Sequence, residues 1–256
     1  MYFGKKSSAL STLFIVIIIL IVAVIAVAAV VVVLYWPSGL VIGSSNPITE
    51  EMDLSDFTIV EVGWGFEVEI TQSSSYSINI TAEDNLFDYI LVSKTGDTLT
   101  IGLKWGYSYQ FLTLRTEITM PDLYELEFSG GTQGTIEGFG SSHDFIVELS
   151  GGSSLSGIFT TSEDAQFTLS GGSHLTELDG AANDLFISAS GGSVLELSDF
   201  LVHDADIEFS GGSQGTINLN GRLDADVSGG SHLLYIGEPT MGDIQESGGS
   251  TVGPVT

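Results

Sequence analysis

The chain has 256 residues, a hydrophobic share of 43% and a formal charge of −27, two properties that must come from different segments. Residues 37–256 carry 33 acidic groups against four scattered basic ones, Lys94, Lys104, Arg115 and Arg222, a net of −29 that excludes nucleic-acid binding through a basic patch. The absence of cysteine excludes disulfides, thiolate metal sites and cysteine catalysis, while 32 glycines against five prolines favour a turn-rich β protein.

From Leu13 to Trp36 every residue is apolar or aromatic, a run of 24. As a helix it is about 36 Å long, more than the ~30 Å hydrocarbon core of a bilayer. A cleavable signal peptide has a shorter apolar region that stops at small residues. Here the alanines at 26, 28 and 29 run straight on into Val30 to Leu34, so the pattern predicts an uncleaved transmembrane signal anchor over 13–36. Lys5 and Lys6 precede the run and no basic residue lies near its other end. The positive-inside rule therefore puts residues 1–12 in the cytoplasm and everything after the span outside the cell, with Tyr35 and Trp36 in the interfacial aromatic belt.

Residues 37–52, rich in Gly, Ser, Asn and Pro and without periodicity, read as a tether. A β domain over 53–256 follows. Its opening region, 53–128, shows strand-length alternation at Phe66, Val68 and Ile70, at Ile78 and Ile80, at Leu99, Ile101 and Leu103, and at Leu112 and Leu114. Lys94-Thr-Gly-Asp97 looks like a hairpin turn and Ala82-Glu-Asp-Asn85 like a second turn.

From residue 129 to 256 the chain repeats. Ser-Gly-Gly begins at Ser129, Ser150, Ser170, Ser190, Ser210, Ser228 and Ser247, in steps of 21, 20, 20, 20, 18 and 19 residues. A period near 20 fits one coil of a parallel β-solenoid with Ser-Gly-Gly corners. One and three residues before each corner the side chains are apolar, as with Phe128 and Leu126, Leu169 and Phe167, or Val227 and Ala225. Two residues before it they are polar and mostly acidic, as with Glu127, Glu148, Glu208 and Asp226. One face of each coil is thus interior and the other is solvated. The paired glycines suit a corner that needs positive φ, and Thr132, Ser153, Ser173, Ser193, Ser213, Ser231 and Ser250 form a hydroxyl column that can bond along the axis.

Phe66-Glu-Val-Glu-Ile-Thr-Gln72, Tyr76-Ser-Ile-Asn-Ile-Thr81, Asp97-Thr-Leu-Thr-Ile-Gly102 and Ile118-Thr-Met-Pro-Asp-Leu123 lead in that order into the first Ser-Gly-Gly. This layout, over roughly 200 residues from about residue 55, resembles the putative auto-transporter adhesin family called the head GIN domain. The resemblance implies a β-solenoid displayed on a prokaryotic envelope, with adhesion implied by the family's name. No membrane β-barrel pattern follows the repeats, so display is expected through the N-terminal span rather than through a barrel of the chain's own.

Asp144, Asp164, Asp184, Asp204 and Asp224 follow their Ser-Gly-Gly serines by 14 or 15 residues and are expected to stack. Unit charges ~5 Å apart repel by about 0.8 kcal/mol even in water, so the column needs compensation. Either the carboxylates accept backbone N–H groups at turns, or neighbouring coils share Ca²⁺. Ca²⁺ is the one candidate cofactor. His143 and His203 precede column aspartates, and His174 and His232 follow corners; members of a pair lie about three coils apart, too far for one metal, and all four read as surface residues.

His203-Asp-Ala-Asp206 and Arg222-Leu-Asp-Ala-Asp226 hold the paired carboxylates a glycosidase would need, but at positions where the repeat already demands an aspartate. Trp64 and Trp105, with Tyr107 and Tyr109 near the second, are either core aromatics or sugar platforms. The expectation is a non-catalytic, adhesin-like surface module whose partner is a glycan or protein. The alternatives are a structural, cation-binding envelope component and, behind it, a carbohydrate-active enzyme.

Overall fold

The computed structural model describes residues 39–161 and 163–255. The expected membrane span over 13–36 and the cytoplasmic segment 1–12 lie outside them. Among the described residues no helix is long and apolar enough to cross a membrane. One small unit contains the strand Gly39–Ile42, paired in parallel with Tyr107–Gln110. A large unit, covering 43–104 and residues from 111 onward, holds a ten-stranded and an eleven-stranded sheet.

Among its described residues the large unit is all-β apart from a short 3₁₀ turn at Asp84–Leu86, and it forms a parallel β-solenoid. Each coil contributes two strands. The strand that ends at Ser-Gly-Gly joins the ten-stranded sheet, as Ala165–Leu169, Asp184–Ala189, Asp204–Phe209 and Arg222–Val227 do; the strand that starts after the corner joins the other, as His174–Ala181, Val194–Val202 and Gln214–Leu219 do. Neighbouring coils keep register, Phe167 opposite Ile187 and Ile187 opposite Ile207.

The period-two alternation explains the arrangement, because it turns one whole row of each strand inward. Leu126, Phe128, Val147, Phe167, Ile207 and Phe209 are buried, as expected. Phe145 and Phe159 stack across the interior with centroids 3.6 Å apart, and Phe167 and Phe200 continue the row at 5.8 Å. Each fully buried side chain of this size contributes roughly 1.5–3 kcal/mol.

At the corners both glycines are left-handed, with φ 68° at Gly191 and 79° at Gly192. The buried hydroxyl after them bonds first within its own corner: Ser193 Oγ donates to the carbonyl of Ser190 at 2.8 Å, and the same bond recurs at Ser173, Ser213, Ser231 and Ser250. The expected axial bonding occurs at part of the column, where Ser231 Oγ accepts the Ser213 N–H at 3.1 Å and Ser250 Oγ the Ser231 N–H at 3.2 Å. A buried hydroxyl takes the carbonyl three residues back because the tight corner brings it within reach.

The solenoid starts earlier than the first Ser-Gly-Gly. Ile59–Val62 and Glu67–Gln72 form a first coil, paired in register with Glu125–Phe128 and Gln133–Ser141. Its corner is Gly63-Trp64-Gly65, with φ 70° at Trp64 and 75° at Gly65 in place of the two glycines. The intervening chain folds back over the opposite side of that coil. Thr98–Leu103 and Leu114–Met120 pair with it in parallel, and the antiparallel strands Ile90–Thr95, Ser77–Glu83 and Pro47–Glu51 close both sheets. Within residues 37–52, read from the sequence as a tether, lie the strands Gly39–Ile42 and Pro47–Glu51. Pro47–Glu51 is a strand held by backbone pairing and by a bond between the Thr49 and Thr81 hydroxyls at 2.7 Å, and because all five of its side chains are exposed it has no alternation to read.

Candidate ligand-binding face

The outward row of the ten-stranded sheet carries the charge. Glu61, Glu127 and Glu148 stand opposite one another on three adjacent strands, with Glu125 two residues from Glu127. Burial, then Glu148 and Glu61, raise the pKa of Glu125; burial, then Glu61, Glu148 and Glu125, raise that of Glu127. Toward the middle of the same sheet the row changes character. Gln166, Phe186 and Asp206 lie opposite one another on successive strands, as do Thr168, Ser188 and Glu208 two residues along. They line a shallow groove of about 250 Å³ in which the Phe186 ring is 45% exposed. Among the described residues none of the five polar side chains has an intramolecular hydrogen bond, so all are available to a ligand. A ring in this frame can stack on the C–H face of a sugar while the carboxylates and amide accept and donate at its hydroxyls. The groove contains no cation, so an anionic ligand is repelled.

The expected acidic column is real over four coils and fails at the fifth. Asp144 Oδ1 accepts the Asp164 N–H at 3.3 Å, Asp164 Oδ1 the Asp184 N–H at 3.2 Å, and Asp184 Oδ1 the Asp204 N–H at 3.3 Å. The next N–H, donated to Asp204 Oδ1 at 2.6 Å, belongs to Arg222. Asp224 instead stands opposite Asp206, on the outward row. The 18-residue step explains the shift, because its two missing residues fall before the aspartate, and counting forward from Ser210 crosses them. The Arg222 guanidinium pairs with Asp224 at 2.6 Å and the Asp243 N–H donates to it at 2.7 Å; these bonds, the arginine's first, hold its carboxyl at about 2.

His143 and His203 sit at the same edge, whereas His174 and His232 begin the strands after Ser-Gly-Gly corners. His143 Nε2 meets both oxygens of Asp122 at 2.9 Å, with Nδ1 2.7 Å from the Asp144 carbonyl. His203 Nδ1 lies 3.0 Å from Asp204 Oδ1, and His232 Nδ1 bonds Thr251 Oγ1 at 2.8 Å. The structure does not bring two histidines together at one site. Trp64 is half-buried in the first corner, with its indole against Gly102, whereas Trp105, in the small unit, is 83% exposed. Sequence reasoning missed Phe186. The signal was present: four residues before a corner, on the solvent side of the alternation, it is an aromatic where other coils carry Glu125, Ile146, Gln166, Asp206 and Asp224.

Solved structures share the fold, among them the following three. A putative adhesin from Bacteroides fragilis is 19% identical with a TM-score of 0.77, covering 84% of this chain and 100% of its own. One from Parabacteroides merdae is 19% identical with a TM-score of 0.67, covering 85% and 99%. A structure from Parabacteroides distasonis described as a putative lipid binding protein is 19% identical with a TM-score of 0.65, covering 85% and 100%. No curated protein matches the chain. The profile of one family matches residues 56–239, from the first coil through the shortened one, and on that match the chain belongs to the family described as putative auto-transporter adhesin, head GIN domain.

Proposed function

We propose that the chain is a non-catalytic, adhesin-like binding module. In this reading residues 13–36 anchor it in the cell membrane, residues 1–12 face the cytoplasm and the domain over 53–256 stands outside. The ligand lies on the outward row of the ten-stranded sheet and is a neutral or amine-bearing glycan. The observation that carries this is Phe186, an exposed aromatic framed by Gln166, Asp206, Thr168, Ser188 and Glu208, none of which is used by the fold. Family membership supports adhesion, and Lys5 and Lys6 before the apolar run support the orientation. A structural envelope component is the second reading, favoured by the backbone-bonded aspartates Asp144 to Asp204.

The test is capture by the full chain, in detergent, on arrays of glycans and surface proteins. Glycan capture that Phe186→Ala weakens about tenfold, equivalent to ~1.4 kcal/mol, is the expected result. Capture indifferent to both Phe186→Ala and Asp206→Asn removes the groove as the site, and protein hits without glycan hits replace the ligand class.

A further inference from the structure

Asp184 and Asp204 stand opposite one another at the starts of Asp184–Ala189 and Asp204–Phe209. His203 immediately precedes Asp204 and is fixed at the corner by its backbone N–H, which donates to the Asn183 carbonyl at 2.7 Å. Its Nδ1 lies 3.0 Å from Asp204 Oδ1 and 3.9 Å from Asp184 Oδ1. Among the described residues this is the one group of three such side chains whose donor atoms all fall within 4.8 Å of one another. Two ligands of one tetrahedral Zn²⁺, each about 2.0–2.2 Å from the ion, are about 3.3 Å apart. The two imidazole–carboxylate spacings, 3.0 and 3.9 Å, bracket that value and the carboxylates lie within 4.8 Å of one another, so side-chain rotation would bring three donors onto one ion.

We propose that Asp184, His203 and Asp204 form a binding site for a divalent transition metal, Zn²⁺ in the first instance. Two further observations favour it over the shared-Ca²⁺ column. The corner offers an imidazole nitrogen, which suits Zn²⁺ and its neighbours, whereas Ca²⁺ takes six to eight oxygens that two carboxylates do not supply. Both carboxylates are also oriented by backbone, Asp184 accepting the Asp204 N–H at 3.3 Å and Asp204 the Arg222 N–H at 2.6 Å, the outer-shell support that metal-binding carboxylates require. The other histidine on this edge is unsuited, since both ring nitrogens of His143 already have close oxygen partners in Asp122 and Asp144. Equivalent positions in the remaining coils are Glu163, Asn183 and Gly221, so among the described coils only His143 and His203 set an imidazole beside the stacked aspartates. The His203 side chain is 63% exposed, which leaves coordination positions for water or a ligand group. Asp184 and Asp204 are two residues from Phe186 and Asp206 on the same outward row, so the ion would sit about 7 Å along the strands from the groove.

The alternative is a metal-free contact of His203 with the two carboxylates, and calorimetry separates the two. The full chain, without an affinity tag, is stripped with chelator in detergent and titrated with Zn²⁺. One saturable site is expected, weakened about tenfold or more by His203→Gln and by Asp184→Asn. The asparagine oxygen can still accept the Asp204 N–H, so the metal-free Asp184→Asn protein should melt where the parent does, and Zn²⁺ should raise the parent's Tm but not that of His203→Gln. Absence of saturable binding, Zn²⁺ affinity unchanged by His203→Gln, or displacement of Zn²⁺ by an equal concentration of Ca²⁺ would each overturn the site. The titration reads metal alone, so its failure leaves glycan capture at Phe186 untouched.

Discussion

Gly191 and Gly192 share a left-handed backbone but differ in the room around them. A Cβ on Gly191 would stand 3.1 Å from the backbone nitrogen of Gly171 in the preceding coil, whereas one on Gly192 meets nothing within 4 Å. Gly192→Ala should therefore cost only the left-handed penalty, about 1–2 kcal/mol, and Gly191→Ala roughly that again, because the coils must separate. Denaturant unfolding of the two variants checks the order, and equal losses would remove the stacked corner as the cause. His143 makes a different kind of contribution. Burial opposes its charged form, but the Asp144 carbonyl and the Asp122 carboxylate overcome that, so its pKa stands above the ordinary value. A raised folded pKa gives stability that is complete below the unfolded value of about 6.5 and is lost as pH rises through the raised one. His143→Gln should lower Tm at about pH 5.5 and much less at about pH 8.5. A deficit of the same size at both would mean the ring acts by packing against Tyr124, 5.4 Å away between centroids, rather than by charge.

At four corners the strands on either side trade interior volume, while Ala189 with Leu195 and Val227 with Leu233 make smaller pairs. Where the residue before Ser-Gly-Gly is Leu149 or Leu169, the first inward residue after the corner is Leu155 or Leu175, all buried; where it is Phe128 or Phe209, that residue is Gly134 or Gly215. A Cβ on Gly215 would lie 2.7 Å from Phe209 Cζ. Gly215→Leu should thus destabilise by several kcal/mol through overpacking, and Phe209→Leu by about 1–2 kcal/mol through a cavity. The double variant recreates a Leu/Leu coil and should fall at least about 1 kcal/mol short of the sum, as a double-mutant cycle in denaturant would measure. The elements with alternation and a Ser-Gly-Gly corner were legible because both signals are local. The first coil was not fully legible, since Trp64 carries the φ of 70° that glycine carries elsewhere, nor was the closing set of strands, whose partners lie across long stretches of chain. Asp224 was misplaced for a local reason, a two-residue deletion that forward counting cannot see.

For the molecule as a whole, the acidic outward face sets the response to pH and salt. Glu127 has a raised folded pKa, so its charged form works against the fold at neutral pH, and this is relieved as pH falls through that pKa. Glu127→Gln should raise Tm at neutral pH, with the gain fading toward pH ~4, and added salt should stabilise the parent more than the variant. A variant no more stable than its parent at neutral pH would show the glutamate row to be adequately solvated. At this scale the charge imbalance was plain from composition, whereas Phe186 became a candidate only when pairing set Gln166 and Asp206 on either side of it. The volume exchange across those four corners also determines where this chain can be cut and rejoined. A duplication or deletion with its ends at the aspartate edge moves Phe209 and Gly215 together and leaves every interior filled. One with its ends inside Ser-Gly-Gly-Ser parts them, setting a phenylalanine against a leucine in one new coil or a glycine against a small neighbour in another. The unit that keeps interior volumes matched is therefore the pair of strands centred on the corner, so a change in coil number should be tolerated best at the edge where Asp144, Asp164, Asp184 and Asp204 are stacked.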